Sequence, residues 1–211
     1  MKTKKIIAII AMALTCTTGF AQKPCKLTVQ PKVGINVATM TDNEDYSSRV
    51  GFTAGAELEY MTQAKLSFTF GALYSQQGIK QDESGFDGTI KMDYINVPLL
   101  VNYYVTKGLA IKAGLQPGFL VNDKVKVEKG GSSVEVGLKE TFESAGFDNV
   151  SIPSVVLSVP VGISYEFSDI VLDARYNIGV TNAVKADYYG MGSSSSKHNF
   201  FSFTIGYKFG L

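Results

Sequence analysis

The chain has one histidine, His198, and four consecutive serines, Ser193 to Ser196, stand just before it. Serine, histidine and an acid together make an activated nucleophile, and this stretch is the nearest the sequence comes to one. No third member is fixed by spacing, and a run of serines reads as a solvated loop, so no catalytic residue is assigned. A single histidine cannot cluster, and neither a Cys-x-x-Cys pair nor a glycine-rich phosphate loop occurs, so no metal or cofactor is assigned. The stretch Asp42-Asn-Glu44-Asp45 is acidic enough to touch a divalent cation but lacks the spacing of a calcium loop. It too reads as a solvated loop.

A second set of charges is spaced differently. Lys32, Glu57, Glu59, Lys112, Glu166, Asp173, Arg175 and Lys208 each fall among residues that alternate with apolar ones. Side chains of a strand point to opposite faces in turn, so such alternation separates an apolar face from a polar one. Seven segments pass the test, at about 29–39, 49–60, 65–76, 92–105, 109–122, 154–167 and 170–181. In the second, Val50, Phe52, Ala54, Ala56, Leu58 and Tyr60 oppose Gly51, Thr53, Gly55, Glu57 and Glu59. The C-terminal stretch makes the eighth: Phe201, Phe203, Ile205, Tyr207 and Phe209 share one parity, and Ser202, Thr204, Gly206 and Lys208 the other. The eight charged residues all lie on the polar parity. Pro98, Pro117 and Pro160 fall inside strands and each removes a ladder donor, so bulges are expected there.

These strands need a solvent. The 211 residues carry 21 Gly, 11 Tyr and 13 Phe, with 45% hydrophobic and 18% charged residues, which fits many short strands and excludes a disordered chain. Mean hydropathy close to zero excludes a bundle of spanning helices. A formal charge of +1 with no basic stripe excludes a nucleic-acid surface. Lys2, Lys4 and Lys5, the apolar run Ile6–Leu14 and Gly19-Phe20-Ala21 read as a cleaved secretory signal over 1–21. A periplasmic stub over 22–28 and a barrel over 29–211 would follow. Without the signal's three lysines the mature chain carries 17 basic and 19 acidic residues, a charge of −2, and Cys25 alone remains, so no intrachain disulfide forms.

An even number of strands long enough to cross at a tilt, with apolar faces outward, is what a closed transmembrane barrel requires. The connections alternate: short near 61–64, 106–108 and 167–169, long at about 40–48, 77–91, 123–153 and 182–198. Tight turns on one rim and longer loops on the other are the asymmetry of outer-membrane barrels. Tyr60, Tyr103, Tyr104, Tyr165 and Phe167 would form an aromatic girdle at the short-turn rim, with Phe52 and Tyr74 toward the other. The fold expected is an all-β, eight-stranded antiparallel up-and-down transmembrane barrel. The alternative is a secreted lipocalin-like barrel, apolar face inward, binding an apolar ligand.

Three blocks carry a resemblance: Gly71-Ala-Leu-Tyr-Ser-Gln-Gln-Gly78, Tyr94-Ile-Asn-Val-Pro-Leu-Leu-Val-Asn-Tyr-Tyr104 and Asp173-Ala-Arg-Tyr-Asn-Ile-Gly-Val-Thr-Asn182. They resemble the PorT-like outer-membrane β-barrel family, found mainly in Bacteroidota, over roughly 29–209. The resemblance implies an eight-stranded barrel of OmpA or OmpX architecture without a peptidoglycan-binding domain. The aromatic read by the barrel-assembly machinery would be Phe209, with Gly210 and Leu211 beyond it.

Eight strands leave an interior just wide enough for side chains to fill. The eight charged residues therefore read as a packed, mutually paired interior in preference to a conduit or gate, with Arg175 pairing Glu57 or Glu166. In segment 123–153, Val125-Lys-Val127 and Val134-Glu-Val136 flank Gly130-Gly131 as a projecting hairpin, and Leu138–Ala145, ended by Gly146, reads as a short helix. Surface contacts fall to the loops, with Asp42, Glu44, Asp45, Phe142, Tyr188 and Tyr189 as candidates. The expected function is structural, adhesive or accessory to a surface assembly, not enzymatic. The expected partners are outer-membrane lipid, the barrel-assembly machinery at the C-terminal strand and an unidentified surface partner, with the barrel a monomer exported by the general secretory pathway.

Overall fold

Alternating residues close here into a cylinder. The computed structural model describes residues 26–40, 47–63, 65–83, 86–129, 132–137, 147–188 and 192–211. They form β1 (Lys26–Met40), β2 (Ser47–Gln63), β3 (Leu66–Glu83), β4 (Phe86–Asn96), β5 (Leu99–Tyr104), β6 (Leu109–Lys129), β7 (Ser132–Gly137), β8 (Phe147–Ser151), β9 (Val155–Phe167), β10 (Ile170–Gly179), β11 (Asn182–Tyr188), β12 (Gly192–Tyr207) and β13 (Phe209–Gly210). Each strand pairs antiparallel with its neighbours in the sheet. β4 with β5, β8 with β9, β10 with β11 and β12 with β13 each run on as one stave, and β7 is the returning arm of a hairpin on the far end of β6, so the barrel wall has eight staves.

The seam between first and last staves closes the wall. β12 pairs β1 from Lys32↔Gly206 to Met40↔His198. β13 carries the seam on through Val29↔Phe209 and Thr28↔Gly210, and Leu211 N–H donates to the Leu27 carbonyl at 2.9 Å. Gly210 and Leu211 thus extend the ladder beyond the terminal aromatic. Among the described residues no strand edge is left along the apolar part of the wall, as a hydrocarbon surrounding demands.

Face assignment follows parity. Val33, Phe70, Leu115, Ile163, Leu172 and Phe203 are all about half exposed on the outer wall, while Lys32, Glu57, Asn102, Lys112, Asp173 and Arg175 are buried within. A lipocalin needs the reverse, so that alternative fails on orientation. The outward apolar run of β6, Leu109 to Val121, covers about 28 Å of height at a 45° tilt, the span of a bilayer core.

The strands outrun their expected ends on the long-loop side. β3 and β4 continue to Glu83 and from Phe86, and β11 and β12 fill most of 182–198, so these connections are hairpins rather than loops. Ser193–Ser196 consequently lie in β12, opposite β11 from Asp187 to Val184, and not in a flexible loop. Alternate carbonyl and amide pairing holds them there despite their weak strand propensity. The expected hairpin after Asn122 is present, with Val125↔Val136 and Val127↔Val134 in register.

The prolines behave differently from expectation. Only Pro98 falls at an interruption, where Val97 and Pro98 leave the strand between β4 and β5 and Val97 N–H donates to the Pro117 carbonyl at 2.8 Å. Pro117 and Pro160 keep register with Leu157 and Asn177. The missing donor of Pro160 is absorbed on its other side, where the β6–β9 ladder skips from Ala113↔Val161 to Gln116↔Ser158. The shift in this wall lies instead at Asp93/Tyr94, opposite Asn122 and Leu120. The expected signal segment, Cys16 and Cys25, Asp42 to Asp45, the helix over 138–145 and Tyr189 lie outside the described residues.

Candidate functional site

The lumen is filled by the polar parity of all eight staves, and its charges form two layers. In the central layer Arg175, on β10, reaches across to Glu57 on β2. Nη1 donates to Oε1 at 2.6 Å and Nη2 to Oε2 at 2.8 Å. Nη2 also donates to Asp173 Oδ2 at 2.8 Å, and Nε lies 2.7 Å from Asp173 Oδ1. Lys32, from β1, sits 2.7 Å from Glu57 Oε2 and 3.1 Å from Asp173 Oδ2. Lys112, from β6, meets the same Asp173 oxygen at 2.8 Å. Four staves are thereby tied across the barrel's width. Each carboxylate meets more than one cation, which offsets the cost of burying it.

Room for these long side chains comes from glycine on the neighbouring strand. Gly206 stands opposite Lys32, Gly71 opposite Glu57, and Gly162 opposite both Arg175 and Lys112. A methyl group on Gly71 would stand 2.7 Å from Glu57 Cγ, on Gly162 2.9 Å from Arg175 Cγ, and on Gly206 2.7 Å from Lys32 Cγ. Those separations are well inside van der Waals contact, so the glycines are vacated volume for the charges rather than turn residues.

The second layer lies by the short-turn rim. Lys208 Nζ is 3.0 Å from Glu59 and 2.6 Å from Glu166. Glu59 accepts further hydrogen bonds from Gln30 Nε2 at 2.6 Å, Ser67 Oγ at 2.5 Å and Tyr104 Oη at 2.6 Å. Tyr104 therefore faces the lumen and not the lipid girdle, as its shared parity with Asn102 on β5 requires. A recess of about 330 Å³ opens at this rim, lined by Glu59, Tyr104, Lys107, Glu166 and Lys208. The two layers are charge-complementary, since the central one holds three cations against two anions and the rim one cation against two.

Above these layers the contents change. Asn36 Nδ2 and Gln77 Nε2 both donate to Ser75 Oγ, and Arg49 donates to the Gln77 carbonyl. On the adjoining strands Met92, Tyr94 and Val125 are buried together, packed by Leu120, Ile152 and Val156, with Met92 in register with Gln77. This apolar cluster inside a polar lumen was not legible from alternation. The shift in β6 opposite Asp93/Tyr94 turns Val125 inward, while Met92 and Tyr94 keep the luminal parity of Asn96.

The arrangement can fill and brace a barrel. Among the described residues no group of three or more metal-ligating side chains occurs. His198 stands opposite Met40 on the closing seam. Tyr188 ends β11 opposite Phe147 and Gly192.

Comparison with known proteins agrees with the geometry. The family model described as "Outer membrane protein beta-barrel domain" matches residues 20–185. Among solved structures, the outer membrane protein OprG from Pseudomonas aeruginosa is 12% identical, with a TM-score of 0.50, covering 90% of this chain and 98% of that one. Ail, the attachment invasion locus protein of Yersinia pestis, is 13% identical with a TM-score of 0.48, covering 89% of this chain and 100% of that one. Neisserial surface protein A is 17% identical with a TM-score of 0.44, covering 87% and 97%. At such identities the likeness is one of fold. No curated protein matches the chain.

Proposed function

The chain belongs to the outer membrane protein β-barrel domain family, and from that premise we propose that it is a sealed surface barrel. Its role is structural, adhesive or accessory to a surface assembly, and its contacts are made by the strands and loops that project beyond the bilayer. It is a monomer without enzymatic activity, a member of the PorT-like branch found in Bacteroidota. It is exported with a cleaved signal over 1–21 and inserted by assembly machinery that reads the C-terminal strand.

The observation that carries this reading is the bridging of the lumen by Lys32, Glu57, Lys112, Asp173 and Arg175, all of them buried. A water-filled channel would leave such groups solvated along a wall, whereas here opposite walls hold each other's charges. Planar bilayers reconstituted with the folded protein are expected to stay silent. Stable, reproducible pores of uniform conductance would overturn the sealed-barrel reading. Deleting 128–147 with the barrel still assembled tests the surface role: surface phenotypes should be lost while insertion and heat-modifiability are retained.

A further inference from the structure

Where the wall leaves the apolar band, its outer face changes chemistry. On β6, Leu120 stands opposite Tyr94, Val121 is the residue inserted by the shift, and Asn122 stands opposite Asp93. Beyond the shift Val125 is buried beside Met92, and Lys124 is exposed on the other face. Lys91 on β4 stands directly opposite Lys124. Like charges directly opposite in a sheet repel. Glycine flanks the pair on both sides, since Gly78 of β3 is in register with Lys91 and Gly137 of β7 with Lys124. Two ammonium groups thus lie side by side on the outer face, and neither neighbour on their rung puts a side chain over them.

Acids stand at other heights. Asp93 is one rung below, but it is 6% exposed and accepts from Asn122 Nδ2 at 3.0 Å. One rung above, Glu135 is opposite Lys126, and Asp87 and Glu128 face each other a rung farther out. Lys124 is three residues past Val121, or about 7 Å above the apolar band for a strand tilted at 45°. Headgroups occupy roughly 5–8 Å outside the hydrocarbon, so the lysine rung is at their depth. The Asp87 and Glu128 rung, about 16 Å up by the same rise, is beyond them.

We propose that the rung of Gly78, Lys91, Lys124 and Gly137 binds a phosphorylated lipid headgroup of the outer leaflet, with both lysines on one phosphate. The phosphate relieves a repulsion that the register builds in, whereas salt only screens it. Contacts of either lysine with nearby acids compete weakly, because ion pairs at a wetted surface contribute little. Depth favours a lipid over a free anion. Directly below the rung, Phe119 and Val121 are 44% and 51% exposed and give the acyl chains of that lipid an apolar wall. The proposal rests on the surface-contact reading above and names one partner for the projecting strands.

The test uses the full barrel folded in phosphatidylcholine nanodiscs, with backbone amide shifts followed by NMR. The probe is phosphatidic acid with the same acyl chains, replacing phosphatidylcholine stepwise. The amides of Gly78, Lys91, Lys124 and Gly137 are expected to shift and saturate. Lys91→Gln/Lys124→Gln should weaken binding by about twentyfold, at about fivefold for each lysine, and Lys91→Arg/Lys124→Arg should retain it. Heat-modifiability checks that the variants fold, and Lys124→Gln alone, at an exposed position, carries the same test with about a fivefold loss. Inorganic phosphate added to phosphatidylcholine discs should give no saturating shift. Shifts that do not saturate, glutamine variants that bind as the parent does, or free phosphate that binds as well as the lipid would each overturn the proposal. Failed lipid binding alongside surface phenotypes lost on deleting 128–147 would remove the lysine rung and leave the surface role standing.

Discussion

Arg175 and Glu57 are 118 positions apart in sequence and form a two-pronged ion pair across the barrel, at 2.6 and 2.8 Å. The pairing is geometric as well as electrostatic. A guanidinium fork matches both carboxylate oxygens at once, and the remaining face of the fork meets Asp173. Lysine at 175 would keep the charge and lose the fork.

The cost of breaking this pair is set by what is left behind. Glu57→Gln or Arg175→Met strands a buried charge and is expected to cost about 3–5 kcal/mol. The double variant Glu57→Leu/Arg175→Met removes both charges and should cost less than the sum of its singles. Urea unfolding of the folded barrel, followed by the gel shift between folded and boiled forms, measures all three. Additive losses would show that the two residues act through separate neighbours.

Lys208 and Glu166 form the closer ion pair of the rim layer, at 2.6 Å, but the two carboxylates that meet Lys208 differ in exposure. The Glu166 side chain is 26% exposed, whereas Glu59, the other partner of Lys208, is 3% exposed. Lys208→Met therefore leaves a buried carboxylate with one cation fewer and should destabilise by about 3 kcal/mol or more. Glu166→Gln leaves a lysine still held by Glu59 and Tyr104, and should cost within about 1 kcal/mol. Equal losses in the same unfolding assay would contradict the ranking.

Strand alternation made the barrel legible because the lipid and the lumen impose opposite chemistry on adjacent residues. Lys32, Glu57, Lys112, Asp173, Arg175 and Lys208 fell on one parity, so their common interior followed from the sequence. What joined which did not, because distance across a lumen depends on tilt and stagger, and those come from register. Tyr104 was readable by parity, but its aromatic ring suggested a girdle instead. Met92 and Tyr94 keep the luminal parity of Asn96 and were missed because they are not charged, whereas Val125 was hidden by a one-residue shift in β6 opposite Asp93/Tyr94, and an irregularity of that kind inverts the side chains beyond it. The projecting hairpins escaped because Ser193–Ser196, and Gln76–Glu83 apart from Ile79, are polar at successive positions, where alternation carries no signal.

The glycines opposite the charges make a separate prediction. Gly162→Ala puts a methyl group 2.9 Å from Arg175 Cγ, beside the Ala174 carbonyl. Arg175 must shift, and its fork with Glu57 is then misaligned. A loss of about 1–3 kcal/mol is expected, as for an overpacked interior. In the Glu57→Leu/Arg175→Met background the same substitution should cost less by the share that the fork contributes, while the contacts with the Ala174 carbonyl and with Cγ of residue 175 remain. A loss unchanged in that background would assign it to the backbone instead.

On the outer wall the cost of a charge should depend on depth. Ile205 is the middle member of the outward series Phe201, Phe203, Ile205, Tyr207 and Phe209, and is 48% exposed on the apolar wall. Phe167 is more exposed, at 69%, beside the tight turn at Ser168 and Asp169. If the exposed apolar wall faces hydrocarbon, Ile205→Arg should destabilise by about 2–4 kcal/mol and Phe167→Arg by about 0–1 kcal/mol, because an arginine at the rim reaches headgroups. In a water-soluble barrel the order would collapse, since both positions would present arginine to water and neither would lose stability. Unfolding in lipid vesicles of defined thickness separates the two outcomes. Lengthening the acyl chains should widen the gap, because the bilayer midplane then lies farther from any snorkelling route.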